Sequence, residues 1–128
     1  PPKPPTEGDW VVNMEDSYGD GWQTDDASGG SGITITLDDG TVFEVGLCSP
    51  YGGAAGTFLG GTDCTPNTGS SGLAIVTIPA GTQSATWNFP GDQYGEISFN
   101  IVTPNGNVAA DIGSGEPAGE IAIDYCLD

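Results

Sequence analysis

Cations are almost absent from this chain. Against 18 Asp and Glu it carries one basic residue, Lys3, with no Arg and no His. A formal charge of −17 leaves no basic patch to neutralise phosphates, which argues against nucleic acid as a partner. The same charge argues against an anionic membrane surface. Without His there is no serine or cysteine triad of the usual kind, and the lone lysine sits among prolines. A carboxylate pair is the remaining catalytic option, as in glycoside hydrolysis. With 18 acids, some pair is bound to have a suitable spacing, so that signal is empty and the chain reads as a non-enzyme. The CxxC and Cys/His spacings of zinc sites are missing. Long apolar runs are missing too. No segment approaches the ~20 residues of a membrane-spanning helix, so membrane insertion is not expected.

What remains is a turn-rich composition. Hydrophobic residues make up only 36%, and 22 glycines punctuate the chain. Charged residues are 15%, too few for the charge-rich composition of a disordered tail. Gly, Thr, Ser and Asn alternate with Ile, Val, Phe and Trp, the look of an all-β domain. A chain of 128 residues makes one domain and buries roughly two-thirds of its unfolded surface. It begins at Pro1 without a Met, as a mature product or a fragment would. Residues 1–8, PPKPPTEG, form a proline-rich arm or linker ahead of a domain at 9–128. Prolines there favour polyproline II and cannot donate to a sheet.

From Trp10 onward the pattern is of strands. Trp10, Val12 and Met14 alternate with Val11, Asn13 and Glu15. Ile33, Ile35 and Leu37 lead into an Asp38-Asp39-Gly40 turn, and Thr41 to Leu47 returns as its hairpin partner. Residues 48–72 read as a long loop with one short strand around Thr57-Phe58-Leu59. Leu73 to Ile78 is apolar on both faces and predicts a central strand covered on both sides. Strands follow at Ser84 to Phe89, Glu96 to Val102, Val108 to Ile112 and Glu120 to Leu127. The last places Ile121, Ile123, Tyr125 and Leu127 on one face. Roughly eight or nine short strands at regular spacing predict an antiparallel, jelly-roll-like β-sandwich.

The densest chemistry lies in Asp16-Ser17-Tyr18-Gly19-Asp20-Gly21-Trp22 with Asp25 and Asp26 behind it. Carboxylates this close, with no cations to pair them, need either full solvation or a hard cation among them. Glycines allow sharp turns that aim oxygens inward, and calcium takes about six to eight oxygen ligands. Asp16, Asp20, Asp25 and Asp26 are therefore candidate calcium ligands, set against the alternative of a solvated loop of Asx turns. The opening spacing is that of an EF-hand, but Tyr18 and the Ala at position 27 break that motif. Asp38-Asp39 reads as an ordinary turn, and Asp63, Asp92 and Asp124 have no distinctive spacing.

Three features in order resemble one family: the Asp16 to Trp22 run, Gly56-Thr57-Phe58-Leu59-Gly60-Gly61, and Tyr94-Gly95-Glu96-Ile97-Ser98-Phe99. Together they look like the "DSYGDGW" β-sandwich modules of secreted and cell-surface proteins in algae, protists and marine bacteria. Those modules continue past the Trp with Asn-Gly. Here Gln23-Thr24-Asp25-Asp26 stands instead, so acids replace that turn. The likeness spans residues 10–110. It implies an exported or cell-surface context and no particular reaction. It also resembles subunits of extracellular fibrils joined through an exchanged strand. Glu96 enters as a remote metal ligand because its motif accompanies the first one.

The resulting expectation is an extracellular structural module, stabilised by calcium, that assembles with copies of itself. Pro4 and Pro5 would span the gap, and Trp10, Val12 and Met14 would pair with an open sheet edge of the next copy. The competing reading is a calcium-dependent carbohydrate-binding module or adhesin, with Trp22, Trp87 and Tyr94 stacking on sugar. Trp22, beside the acidic run, is the aromatic expected to be exposed. Three cysteines leave two pairings open, Cys48–Cys64 and Cys64–Cys126. Asn-linked glycosylation sequons are absent, while Ser/Thr/Pro-rich stretches at 1–6 and 62–72 would accept O-linked glycans.

Overall fold

The computed structural model describes residues 4–18, 22–24, 32–47 and 71–127. Eight strands lie there: β1 (Gly8–Asp16), β2 (Ile33–Leu37), β3 (Val42–Val45), β4 (Ser71–Ile78), β5 (Ala85–Phe89), β6 (Ile97–Val102), β7 (Val108–Ile112) and β8 (Gly119–Glu120). A short 3-10 helix closes the chain at Tyr125–Leu127. The strands form two four-stranded sheets, ordered β4-β1-β6-β7 and β3-β2-β5-β8. Every pairing is antiparallel. This is the β-sandwich that the alternating pattern predicts.

Alternation decides what each strand buries. Trp10, Val12 and Met14 of β1, Ile33 and Ile35 of β2, Trp87 and Phe89 of β5, and Ile97, Phe99 and Ile101 of β6 all face one shared core. Trp10 and Trp87 meet across the two sheets with ring centroids 5.6 Å apart, and Tyr125 stands edge-on to Trp10 at 5.8 Å. Removing a buried Trp from such a contact costs about 3–5 kcal/mol. The β2–β3 hairpin turns at Asp38-Asp39-Gly40 as expected, with Gly40 at φ 91°. Asp39 Oδ1 accepts the Thr41 N–H at 3.0 Å, a bond that holds its carboxyl below the usual range.

The N-terminal strand has a position its sequence does not reveal. β1 pairs with β4 from Gly8 to Glu15 and with β6 from Val11 to Asp16, so it lies inside its own sheet. Trp10, Val12 and Met14 are buried in the core of the chain. The root of the arm is anchored as well. Pro5 is buried, and the Thr6 carbonyl accepts the Trp10 indole N–H at 2.8 Å.

Two expectations are corrected. Leu73 to Ile78 does not form a central strand covered on both sides. Among the described residues it ends its sheet as part of β4, with Ala74, Val76 and Ile78 buried but Leu73 and Ile75 48% and 42% exposed. An apolar pattern on both faces records a demand for cover, not a place in the strand order. The C-terminal strand shrinks to Gly119–Glu120. Beyond it Ile121 still buries itself and donates its N–H to the Trp87 carbonyl at 2.8 Å. Asp124 then caps the 3-10 turn by accepting the Cys126 N–H at 2.9 Å, which ends the ladder.

Burial pushes the Tyr125 phenol above its ordinary 10.0, and its hydroxyl donates to the Ala85 carbonyl at 2.9 Å. Its contribution to stability is whole below the unfolded value and is lost as pH rises through the raised folded one. In an alkaline titration followed by phenolate absorbance, Tyr125 should ionise last, together with loss of the native circular dichroism. The Tyr125→Phe chain should lack that late step. Ionisation of every tyrosine in a still-folded chain would contradict this.

Candidate metal centre

β1 ends at Asp16, and β6 begins at Ile97 directly opposite it. The ladder runs one step further, because the Ser17 N–H donates to the Glu96 carbonyl at 3.1 Å. The structure therefore brings Asp16 and Glu96, 80 positions apart in sequence by subtraction (96 − 16), to the same end of one sheet. Asp16 is 3% exposed, a carboxylate at an inward position of an alternating strand. Its Oδ1 accepts the Tyr18 N–H at 3.3 Å, an Asx turn that bends the chain away from the sheet. Glu96 is half-buried, and its Oε2 is enclosed without a hydrogen-bond partner among the described residues.

Two further segments converge here. Trp22 donates its backbone N–H to the Leu47 carbonyl and its indole N–H to the Glu15 carbonyl, both at 3.0 Å. Gln23 and Thr24 are buried behind it, and the Gln23 carbonyl accepts the Gln93 N–H at 3.0 Å. These bonds tie residues 22–24 to the end of β1 and to the turn preceding β6.

That turn is organised by Asp92, which spacing alone does not single out. Its Oδ1 accepts the N–H groups of Gly95 and Glu96 at 2.9 and 3.0 Å. Its Oδ2 accepts those of Ile97 and Gly115 at 3.2 and 2.7 Å. Gly95 takes φ 73°, a left-handed conformation suited to glycine. Asp92 thus fixes the backbone of Glu96 and sets where its side chain lies. The Asp92-x-x-Gly95 spacing was the available signal, an Asx-type turn in a loop that must present a glutamate.

The donors present are carboxylate, amide and hydroxyl oxygens, the chemistry of a hard cation rather than of zinc or copper. An enclosed carboxylate oxygen with no donor is costly unless something positive approaches it. Carboxylate oxygens such as those of Asp16 and Glu96 are the ligand type that calcium takes. Among the described residues no group of three acids, His or Cys is placed to hold a metal. Asp20, Asp25 and Asp26, the other expected ligands, lie outside the described residues.

The aromatic platform is corrected. Trp22 is not exposed but 2% accessible, packed 5.8 Å from Phe99, and Trp87 is in the core. A tryptophan whose two N–H groups must both find carbonyls next to an apolar core has no face to spare. Tyr94 is exposed at 57%, and Tyr18 at 73%. Cys126 carries a free, exposed thiol. Cys48 and Cys64 lie outside the described residues.

No family model, curated protein or solved structure matches the chain.

Asp92 gives a direct check on how the site is built. Asp92→Ala leaves four N–H groups without their acceptor and should cost about 3 kcal/mol in denaturant unfolding, with Asp92→Asn costing less. An Ala variant of unchanged midpoint would show that solvent replaces these bonds at no cost.

Proposed function

We propose that this chain is a structural module that links copies of itself into an extracellular fibre or matrix, with calcium at the Asp16–Glu96 corner. The observation carrying this reading is the place of β1. The first strand of the chain sits between β4 and β6 and contributes Trp10, Val12 and Met14 to the core. A β1 from a second copy, entering in the same antiparallel register, would make the same ladder bonds and fill the same core positions. Exchange of this kind needs no new surface, only a reach between neighbours. Passed in one direction from copy to copy, the contact is head-to-tail and extends into a filament.

Calcium acquires a definite role in that arrangement. Asp16 belongs to the travelling strand and Glu96 to the domain that receives it. Bound there, calcium supplies positive charge between two carboxylates that otherwise repel. It would fasten the end of the exchanged strand to its host. The composition favours this reading, since the chain has one lysine for 18 acids.

A second reading is calcium-dependent glycan binding. It draws on exposed Tyr18 and Tyr94, each two residues from one of the paired carboxylates. Trp22 and Trp87 do not contribute to it.

Two experiments test the primary reading. Removing residues 1–14 should leave soluble, poorly folded monomers, and a synthetic peptide covering residues 4–18 should restore the native circular dichroism when added in trans. Fibres from the truncated chain would sink the exchange. Calcium at about 100 times its Kd should raise the stability of the intact chain by about 2.7 kcal/mol, and Glu96→Gln should remove most of that gain. Equal responses from the two chains would rule Glu96 out as a ligand.

A further inference from the structure

β7 ends at Ile112 and β8 begins at Gly119, so residues 113–118 cross from one sheet to the other. The crossing is held on both sides. The Gly115 N–H is tied to Asp92 Oδ2 at 2.7 Å, and the Ile121 N–H to the Trp87 carbonyl at 2.8 Å. Beside it lies a cavity of about 300 Å³. Its floor is the margin of the core. Phe89 and Phe99 come from opposite sheets, pack with ring centroids 5.3 Å apart, and are each 3% exposed. Ile121 is buried and Ile112 half-buried in the same lining. Glu116 and Glu120, both exposed, supply the only polar side chains of the cavity. No Lys, Arg or His lies among the described residues to neutralise them.

Size and chemistry narrow the occupant. A water takes about 30 Å³ of the liquid, so the cavity has room for about ten water-sized groups. That is the small end of ligand pockets, and it suits a molecule of about ten non-hydrogen atoms. The aromatic and aliphatic floor selects an apolar body, and the two carboxylates select a positive head. An anion would be repelled. A sugar would set hydroxyls against Phe and Ile, and no Trp, Tyr, Asn or Gln lines the cavity to receive them. A protein partner needs an apolar interface core around its anchor. The segment 113–120, Gly-Ser-Gly-Glu-Pro-Ala-Gly-Glu, offers no large apolar side chain for one.

We propose that this cavity binds a small organic ammonium ion, with its apolar body on the Phe89–Phe99 pair and its charged head at Glu116 and Glu120. The inference stands apart from the assembly reading, since it uses neither the exchange of β1 nor the Asp16–Glu96 corner.

The test titrates phenethylammonium into the intact isotope-labelled chain with calcium present. Amide shifts should concentrate at residues 112–122 and around Phe89 and Phe99. Phenylethanol keeps the ring without the charge and should bind roughly fivefold more weakly, and added salt should narrow that difference. Methylammonium keeps the charge without the ring and should bind about tenfold more weakly or worse. Glu116→Gln with Glu120→Gln should bring the amine down to the affinity of the alcohol, with an unchanged denaturant midpoint because both residues are exposed. Should that variant fail to fold, the two control ligands still decide the matter on the unaltered chain. No saturable binding by about 10 mM, or shifts confined to other surfaces, would overturn the proposal. Equal affinity for the alcohol would remove the role of the two carboxylates and overturn it as well. Methylammonium binding as tightly as the aryl amine would show bare attraction of charge to an acidic surface, with the same consequence.

Discussion

This fold must hold together while carrying 18 acids against one lysine. Salt bridges cannot supply the balance, since no Lys, Arg or His lies among the described residues. Backbone N–H groups take their place. Asp92 gathers four of them, Asp38 accepts from Gln83 and Ser84, Asp39 from Thr41, Asp124 from Cys126, and Glu44 from Gly32. Hydrogen bonds to ionised oxygens are about twice as strong as neutral ones, so each turn is fastened by the charge that would otherwise repel its neighbours. Glu96 Oε2 is a buried carboxylate oxygen, among the described residues, that no hydrogen-bond donor reaches. That exception marks the corner proposed for calcium.

The same corner is where the N-terminal strand finishes. Topology makes β1 both the first element and a central one, bonded on both sides and packed into the core. A strand in that position matters to the whole domain, whichever copy provides it. The proposed calcium corner lies at its far end, at Asp16, and the proline-rich segment leads into the other. In the proposed assembly, β1 is the strand that one copy lends to the next.

Much of the fold was legible because alternation is a direct consequence of burying one face. β1, β2, β5 and β6 carry their buried residues at the positions their sequence pattern predicts. Neighbour relations were not legible. Nothing in Trp10 to Met14 says that β4 and β6 flank it, and β4 reads as central although it ends its sheet among the described residues. Trp22 was misread because its acidic surroundings predict exposure. Three-dimensionally it faces Phe99 and the carbonyls of Glu15 and Leu47. Of the candidate site, the nearness of Asp16 and Glu96 along the chain's fold was readable only as a likeness between motifs, and the β1–β6 ladder, pairing Asp16 with Ile97, brings both to one end of the sheet. Asp92 escaped notice because a carboxylate bonded only to backbone leaves no partner side chain in the sequence.

The central claim is that assembly and calcium act at one junction. Negative-stain electron microscopy of the native material, before and after a calcium chelator, tests it most directly. The account predicts ordered fibres that loosen or disperse when calcium is withdrawn and re-form when it is returned. Dispersed particles in both conditions would contradict the assembly, and fibres indifferent to the chelator would separate it from the Asp16–Glu96 corner.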